Sequence, residues 1–326
     1  MKIAFFLFHG LANSTRNTYD SHIRQYVWIS KSAGYCHPSG SPFPAKALWL
    51  MHWAAELAGQ SKAKDIKKRL SSLRSYHVDL GFETEVFKNP QLDRVIRGIK
   101  RLLPEAARRE RTPITHEILV KLLSSLDPAA PKGRLLRAAF SLAFAAFLCS
   151  GELTYEAEDA CNPDFPSWNI TRASIQFDPA GQHMLLLLPA SKTDPFRLGV
   201  TITIAHSPND TYCAIRLMAT YLQSTYPANP RCPLFMRPGG TPFTRGYLVQ
   251  EVQRLALAQG IPGNFTGHSF RRGAATWASR QGLGADQIQK LGRWKSAAYQ
   301  LYIDTTEQDK LALSRLFVGA GGIPTL

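Results

Sequence analysis

The sequence is poor in cysteine and in acidic side chains, and it has no long uninterrupted apolar run. Its five cysteines, Cys36, Cys149, Cys161, Cys213 and Cys232, are scattered, odd in number and form no CxxC pair. That excludes a zinc ribbon or a disulfide framework as the basis of the fold, calls for no metal, and fits a reducing compartment. The apolar opening Met1 to Ala12 (MKIAFFLFHGLA) looks like a secretory h-region, yet it falls short of the roughly 20 apolar residues that a bilayer span requires. The other apolar stretch, LLRAAFSLAFAAFLCSG, is bounded by Arg134, Arg137 and Glu152, so no membrane span is expected. Only 24 Asp and Glu stand against 39 Lys and Arg, a net charge of +15. Such an excess calls for a polyanionic partner, with nucleic acid ahead of an anionic membrane surface.

What is present is enough apolar material, 44% of 326 residues, for two packed domains, with no internal repeat and no low-complexity tract. The first hundred residues read as helices. Ser14 to Trp28 opens with a Ser/Thr cap signal and spaces Tyr19, Ile23 and Tyr26 or Val27 along one face. Pro42 and Pro44 precede a second helix from about Ala45 to Gly59. A third carries Ile66, Leu70, Leu73 and His77 before Gly81. Asn89 to Leu103 alternates Leu92, Val95, Ile96, Ile99 and Leu103 with Arg94, Arg97, Lys100 and Arg101, the pattern of an amphipathic basic helix. The proline-flanked, charge-dense stretch Pro104 to Pro113 is the linker candidate, with the boundary near residue 110.

Beyond it, Ile114 to Leu126 and Arg134 to Leu148 read as helices, the second a core helix. Strand signals follow: Ile175 to Phe177, a DPAGQ turn, His183 to Leu188, and the β-branched run GVTITIA from Gly199 to Ala205. The remainder returns to helix over Cys213 to Gln223, Arg245 to Gln259, Ser269 to Gln281, Ala285 to Leu291 and Ala297 to Ile303. The expected fold is mainly α (α+β): a helical N-terminal domain, then an α-rich domain with a small antiparallel three-stranded sheet.

Chemistry concentrates in the second half. TGHSFRR, Thr266 to Arg272, puts His268 and Arg271 three apart at a helix start, where both can face one ligand. LGRWKSAAYQLYI, Leu291 to Ile303, supplies Trp294 and, eight positions on, Tyr302. ASKTDPFR, Ala190 to Arg197, puts Lys192 between two strands. Taken singly each has a plain alternative: a solvated lysine, a helix-capping histidine, a surface arginine, a core tryptophan, or Tyr299 in place of Tyr302. The ordered set of Lys, HxxR, Trp and Tyr is far more specific than any member.

These blocks resemble the catalytic domain of tyrosine recombinases, the phage-integrase-like family, and their wording is most similar to crypton and DIRS or Ngaro-type eukaryotic mobile elements. The N-terminal helices, in NSTRNTYDSHIRQY and NPQLDRVIRGIKR, are similar in kind to the family's core-binding domain. The resemblance implies a helical, SAM-like DNA-binding domain over residues 13–107 and a catalytic domain over 112–317. It implies Tyr302 as nucleophile, Arg271 and His268 at the phosphate, Lys192 as general acid and Trp294 donating from its indole N–H. It also implies duplex DNA as partner, a homotetramer on paired sites, nuclear residence and no cofactor, since the bond energy is kept in a covalent intermediate. Phosphate contacts are expected from Arg16, Lys62, Lys64, Lys67, Lys68, Arg97, Lys100 and Arg101 in the first domain and from Arg245 and Arg272 in the second.

The pattern breaks once. In FLCSGELT the family's first catalytic arginine is replaced by Cys149, while the supporting acid, Glu152, is in place. Arg137 lies twelve residues back, about 18 Å along a helix, and cannot serve. Loss of one such donor costs on the order of 10²- to 10³-fold in rate. The expectation is an impaired recombinase. The alternatives are a catalytically dead, domesticated copy acting as a DNA-binding module, or a type IB topoisomerase-like enzyme. Cys149 itself, following an apolar helix with no basic tract, is expected to be buried and inert.

Overall fold

Leu92, Ile96 and Ile99 recur at helical spacing, and they are the buried side of a helix that begins where the sequence supplies a cap. The Asn89 side chain accepts from the backbone N–H of Gln91 (2.8 Å) and Leu92 (3.3 Å), and Pro90 occupies the first turn, where no N–H is needed. The opposite face leaves Arg94, Arg97, Lys100 and Arg101 exposed. The computed structural model describes residues 2–103, 111–190, 194, 198–207, 211–225, 229–303, 311 and 314–315. The chain divides into two units, Met1–Arg108 and Arg109–Leu326.

The first unit is all helical among its described residues: α1 (Lys2–His9), α2 (Asn13–Ser32), α3 (Ala47–Glu56), α4 (Ala63–Asp79) and α5 (Pro90–Leu102). Tyr26, Leu50, Trp53, Leu57, Ile66, Leu73, Leu92 and Ile96 form its core. The apolar opening is the helix α1, with Ile3, Phe5, Phe6 and Phe8 exposed. Among the described residues no helix is long and apolar enough to cross a membrane. His77 is fully buried: its Nε2 accepts from the Ala45 N–H (2.9 Å) and its Nδ1 donates to the Leu73 carbonyl (2.8 Å). Two ring nitrogens with opposite roles require the neutral imidazole.

The second unit begins with α6 (His116–Ser124), capped by Thr115, and α7 (Pro131–Ala145). Helix α7 starts three residues ahead of Arg134, where the apolar pattern placed it, because Pro131 fits the first turn. Three one-turn helices that periodicity could not show follow, α8 (Ser150–Leu153), α9 (Ala157–Ala160) and α10 (Phe165–Trp168). An antiparallel sheet of order β1 (Ile175–Phe177), β2 (His183–Leu188) and β3 (Val200–Ala205) comes next. Its register pairs Ile175 with Leu186 and Met184 with Ile204, which sets Met184, Leu186 and Leu188 toward the core. The chain then returns to helices α11 (Ala214–Ser224), α12 (Arg245–Ala258), α13 (Ser269–Arg280) and α14 (Ala285–Leu291).

Helix α7 is the axis of this unit, with Leu135, Leu136, Ala139, Phe140, Leu142 and Ala143 buried. A smaller cluster of Phe147, Ala274, Ala275, Ala278, Ile288 and Tyr299 lies to one side and walls the region where the motif residues meet. The last segment, Ala297–Tyr302, is a 3-10 helix and not the α-helix its sequence suggests. At three residues per turn Tyr299 and Tyr302 fall on one face, both beside Trp294, at ring distances of 6.2 and 5.4 Å.

Burial holds His77 below the ordinary value of 6.5, partly opposed by its bond to Leu73. The unfolded chain therefore binds the proton that the folded unit excludes, and stability is lost as pH falls below 6.5. The melting temperature is expected to be lower at pH 5.5 than at pH 7.5, with a smaller drop in His77→Phe. An equal drop in both proteins removes His77 as the cause.

Candidate active site

Glu152 organises the site. Its carboxylate is nine-tenths buried at the one-turn helix α8, where the Cys149 N–H donates to Oε2 at 2.8 Å, half of a capping box. Arg271 Nη1 reaches the same oxygen at 3.2 Å, and Arg293 Nη2 reaches Oε1 at 3.3 Å. Burial opposes ionisation of Glu152. The Arg271 and Arg293 guanidiniums and the Cys149 N–H overcome it and hold the carboxyl below its ordinary range.

Arg271 is one turn into α13, and its Nη2 also donates to the Gly292 carbonyl. Its guanidinium lies 5.0 Å from the Trp294 ring, and its Nε is buried with no partner among the described residues. His268, just before α13, is half-buried with Nδ1 likewise unpartnered. Burial, and then the charges of Arg111, Arg245 and Arg271, push His268 below the ordinary histidine value, so it is neutral near pH 7. Its ring stands 6.2 Å from that of Tyr302. Tyr302 is partly exposed and anchored through its backbone carbonyl by the Thr276 hydroxyl at 3.1 Å, whereas Tyr299 is sunk in the small core cluster. Of the two tyrosines, only Tyr302 is open toward the histidine.

Close backbone packing brings these segments together. Ser150 donates its N–H to the Gly267 carbonyl at 2.7 Å, and a Cβ on Gly267 would lie 2.0 Å from the Ser150 hydroxyl. The Trp294 ring folds back over Gly292, where a Cβ would meet it at 1.6 Å. The two non-glycine residues with positive φ among those described are Phe147 (52°) and Arg293 (57°). Each follows a helix end, of α7 and α14, with the paired 6→1 and 5→2 hydrogen bonds of a Schellman motif. Holding a non-glycine residue there costs roughly 1–2 kcal/mol. Arg293 ties the two ends together, donating to the Ala146 carbonyl at 2.8 Å and the Phe147 carbonyl at 3.3 Å.

The structure thus brings Tyr302, His268, Arg271, Trp294, Cys149 and Glu152 into one neighbourhood. Lys192 lies outside the described residues, between the ends of β2 and β3. Burial and the adjacent Glu152 push the Cys149 thiol up, so it is protonated and no thiolate nucleophile. Arg137 is engaged elsewhere, donating to the Leu123 (2.9 Å) and Leu126 (3.4 Å) carbonyls. Sequence reasoning missed Arg293 and Arg111. The signal available for Arg293 was a lone basic residue at the C′ position of a helix, where glycine is favoured.

Of the residues expected at phosphates, Lys64, Lys67, Lys68, Arg97, Lys100, Arg101 and Arg245 are exposed. Lys68 also pairs with Asp65 at 3.2 Å. Lys62 and Arg272 are half-buried. Arg16 is tied down locally, donating to the Phe8 and Leu11 carbonyls with its guanidinium over the Phe8 ring.

Removing Glu152 leaves two arginines facing each other with little exposure, and Glu152→Ala is expected to destabilise the second unit by about 3–5 kcal/mol in denaturant unfolding. A loss below about 1 kcal/mol, the range of surface pairs, would contradict the clamp described.

Residues 202–308 match the Phage integrase family, a stretch that contains His268, Arg271, Trp294 and Tyr302. A XerD integrase/recombinase homologue of Selenomonas ruminantium is 26% identical over 302 residues, covering 85% of this chain and 79% of the relative. Among solved structures, the XerH site-specific recombinase bound to a palindromic difH substrate aligns with a TM-score of 0.57 at 14% identity, over 91% of this chain and 77% of the other. The Tn1549 transposon integrase in complex with a circular intermediate DNA gives 0.57 at 14% identity, over 94% of each chain. A lambda integrase dimer bound to a COC′ core site gives 0.55 at 16%, over 95% and 76%. At those identities the solved structures show the fold. The family match itself is confined to residues 202–308.

Proposed function

We propose that this chain, with its tyrosine-recombinase fold, binds duplex DNA and breaks and rejoins it through a 3′-phosphotyrosyl intermediate, with Tyr302 as the nucleophile. The observation that carries this reading is the meeting of Tyr302, His268, Trp294 and Arg271 in one neighbourhood, at separations of 5.0 to 6.2 Å, with Tyr302 partly exposed. Tyr302 attacks the phosphorus as the bond to the 5′-oxygen breaks, and Lys192 supplies the proton that makes a 5′-hydroxyl. Neutral His268 takes the phenol proton. Arg271, through the guanidinium N–H groups not taken by Glu152 and Gly292, stabilises the nonbridging oxygens, with the Trp294 indole N–H as a further donor. Attack by a second strand's 5′-hydroxyl reverses the step, so the number of phosphodiester bonds is conserved and no cofactor is consumed.

Cys149 offers that phosphate no cation, and cleavage is slow for that reason. The second reading, a domesticated DNA-binding module, rests on the same residue. The sequence resemblance further points to a crypton or DIRS/Ngaro-type mobile-element recombinase, acting in the nucleus as a homotetramer on paired sites. Residues 13–107 would form the core-binding domain and 112–317 the catalytic domain.

The test uses duplexes selected from a random pool, nicked at the recovered site, with covalent protein–DNA adducts read on a denaturing gel. Wild type is expected to give a faint adduct that disappears in Tyr302→Phe and increases on the order of 10²-fold in Cys149→Arg. An adduct that survives Tyr302→Phe rejects the nucleophile assigned here.

Binding itself is expected to depend steeply on salt. If six or more phosphates are neutralised by groups such as Lys64, Lys67, Arg97, Lys100, Arg101 and Arg245, affinity falls on the order of 10³-fold from about 50 to about 200 mM salt. A gel shift unchanged over that range contradicts the electrostatic picture.

A further inference from the structure

Arg293 was assigned no role by its sequence context, yet it is one of the two guanidiniums that hold Glu152, in a backbone conformation that glycine would adopt more cheaply. Its placement decides what Arg271 can do. Glu152 has two oxygens, and an arginine facing a buried carboxylate alone tends to form two parallel bonds with it. Here Oε1 is occupied by Arg293, so Arg271 makes a single contact, Nη1 to Oε2, and turns Nη2 to the Gly292 carbonyl. Its Nε is left buried and unpartnered among the described residues. A formal count points the same way: Glu152 with Arg271 alone sums to zero, whereas Arg293 brings the clamp to +1, the sign required beside a phosphodiester.

We infer that Arg293 is a positioning residue which, by neutralising Glu152 and limiting Arg271 to one contact with it, leaves the remaining guanidinium N–H groups of Arg271 for the reacting phosphate and offsets part of what the chain lacks at Cys149. This rests on the recombinase reading. Arg293 acts through Glu152 and Arg271 and needs no contact with DNA.

The rival role is structural, because Arg293 also caps the carbonyl end of α7. Arg293→Gly separates the two, since glycine suits the positive φ and relieves the backbone while deleting the charge. The single-turnover rate of Tyr302–DNA adduct formation at saturating protein would be measured for Arg293→Gly and Arg293→Lys, each in the wild-type and Cys149→Arg backgrounds, with DNA affinity and melting temperature beside it. In the wild-type background Arg293→Gly is expected to slow cleavage about 100-fold with DNA affinity little changed, and Arg293→Lys to recover part of that loss. In Cys149→Arg, where a guanidinium is restored at the site, the same Gly substitution is expected to cost less than about 10-fold. Equal losses in both backgrounds, tracking the melting temperature, would mean a cap and overturn the inference while leaving the recombinase reading intact. An adduct formed by Cys149→Arg but not by wild type would show that Arg293 offsets nothing. No Tyr302-dependent adduct in either background overturns both.

Discussion

The carboxylate of Glu152 joins segments that lie far apart in the chain: the start of α8, the first turn of α13 and the second residue after α14. Each of its bonds settles a different matter. The Cys149 N–H fixes the turn that leads out of the core helix α7, Arg271 is held one turn above His268, and Arg293 draws the end of α14 onto the end of α7. A buried carboxylate is tolerable only with such partners, and two facing guanidiniums are tolerable only with such a carboxylate, so the three charges stand or fall together. The chain after Gly292 leads from this clamp to Trp294 and the 3-10 segment that carries Tyr302.

Against that constraint the cysteine has a defined effect. It preserves the backbone hydrogen bond that the clamp uses and removes only what a longer, charged side chain would have added. The site is therefore intact as a scaffold and altered as an electrostatic device. Near pH 7 its thiol is protonated and its histidine neutral, both with burial as the leading cause, and among the described residues the charges acting on them are those of Arg111, Arg245, Arg271 and Glu152.

Much of this was legible in the sequence because it is local. Helices α2 to α7 and α11 to α14 follow from apolar spacing, with side-chain caps at α5, α6 and α12. The Ser/Thr signal at Ser14 does not mark the cap of α2, which starts at Asn13 after Ala12 with no side-chain cap bond. The first two strands follow from the glycine turn between them and the third from its β-branched run. The candidate residues could be picked out because HxxR sits within one helical turn and Trp and Tyr within one short segment, where covalent spacing limits separation. The substitution at Cys149 also needed no structure, since it is a change of residue type within an otherwise complete motif. The one-turn helices α8 to α10 carried no periodic signal, being shorter than a period can establish. The last segment looked α-helical because its composition suits either helix, and in the 3-10 form Tyr299 and Tyr302 both lie beside Trp294.

What the sequence by itself determined, then, is the class of fold, the basic character of the surface and the chemical types available to the site. The tertiary structure decided which of two neighbouring tyrosines is open, that Arg293 and Arg111 approach the site, and that Arg271 keeps an Nε with no partner among the described residues. The physical reason is range. Propensity and periodicity act over a few residues, whereas Tyr302 is placed against Thr276 of α13 and His268 just before it, and the sharing of Glu152 by two arginines depends on contacts between positions more than a hundred residues apart, none of which a local pattern encodes.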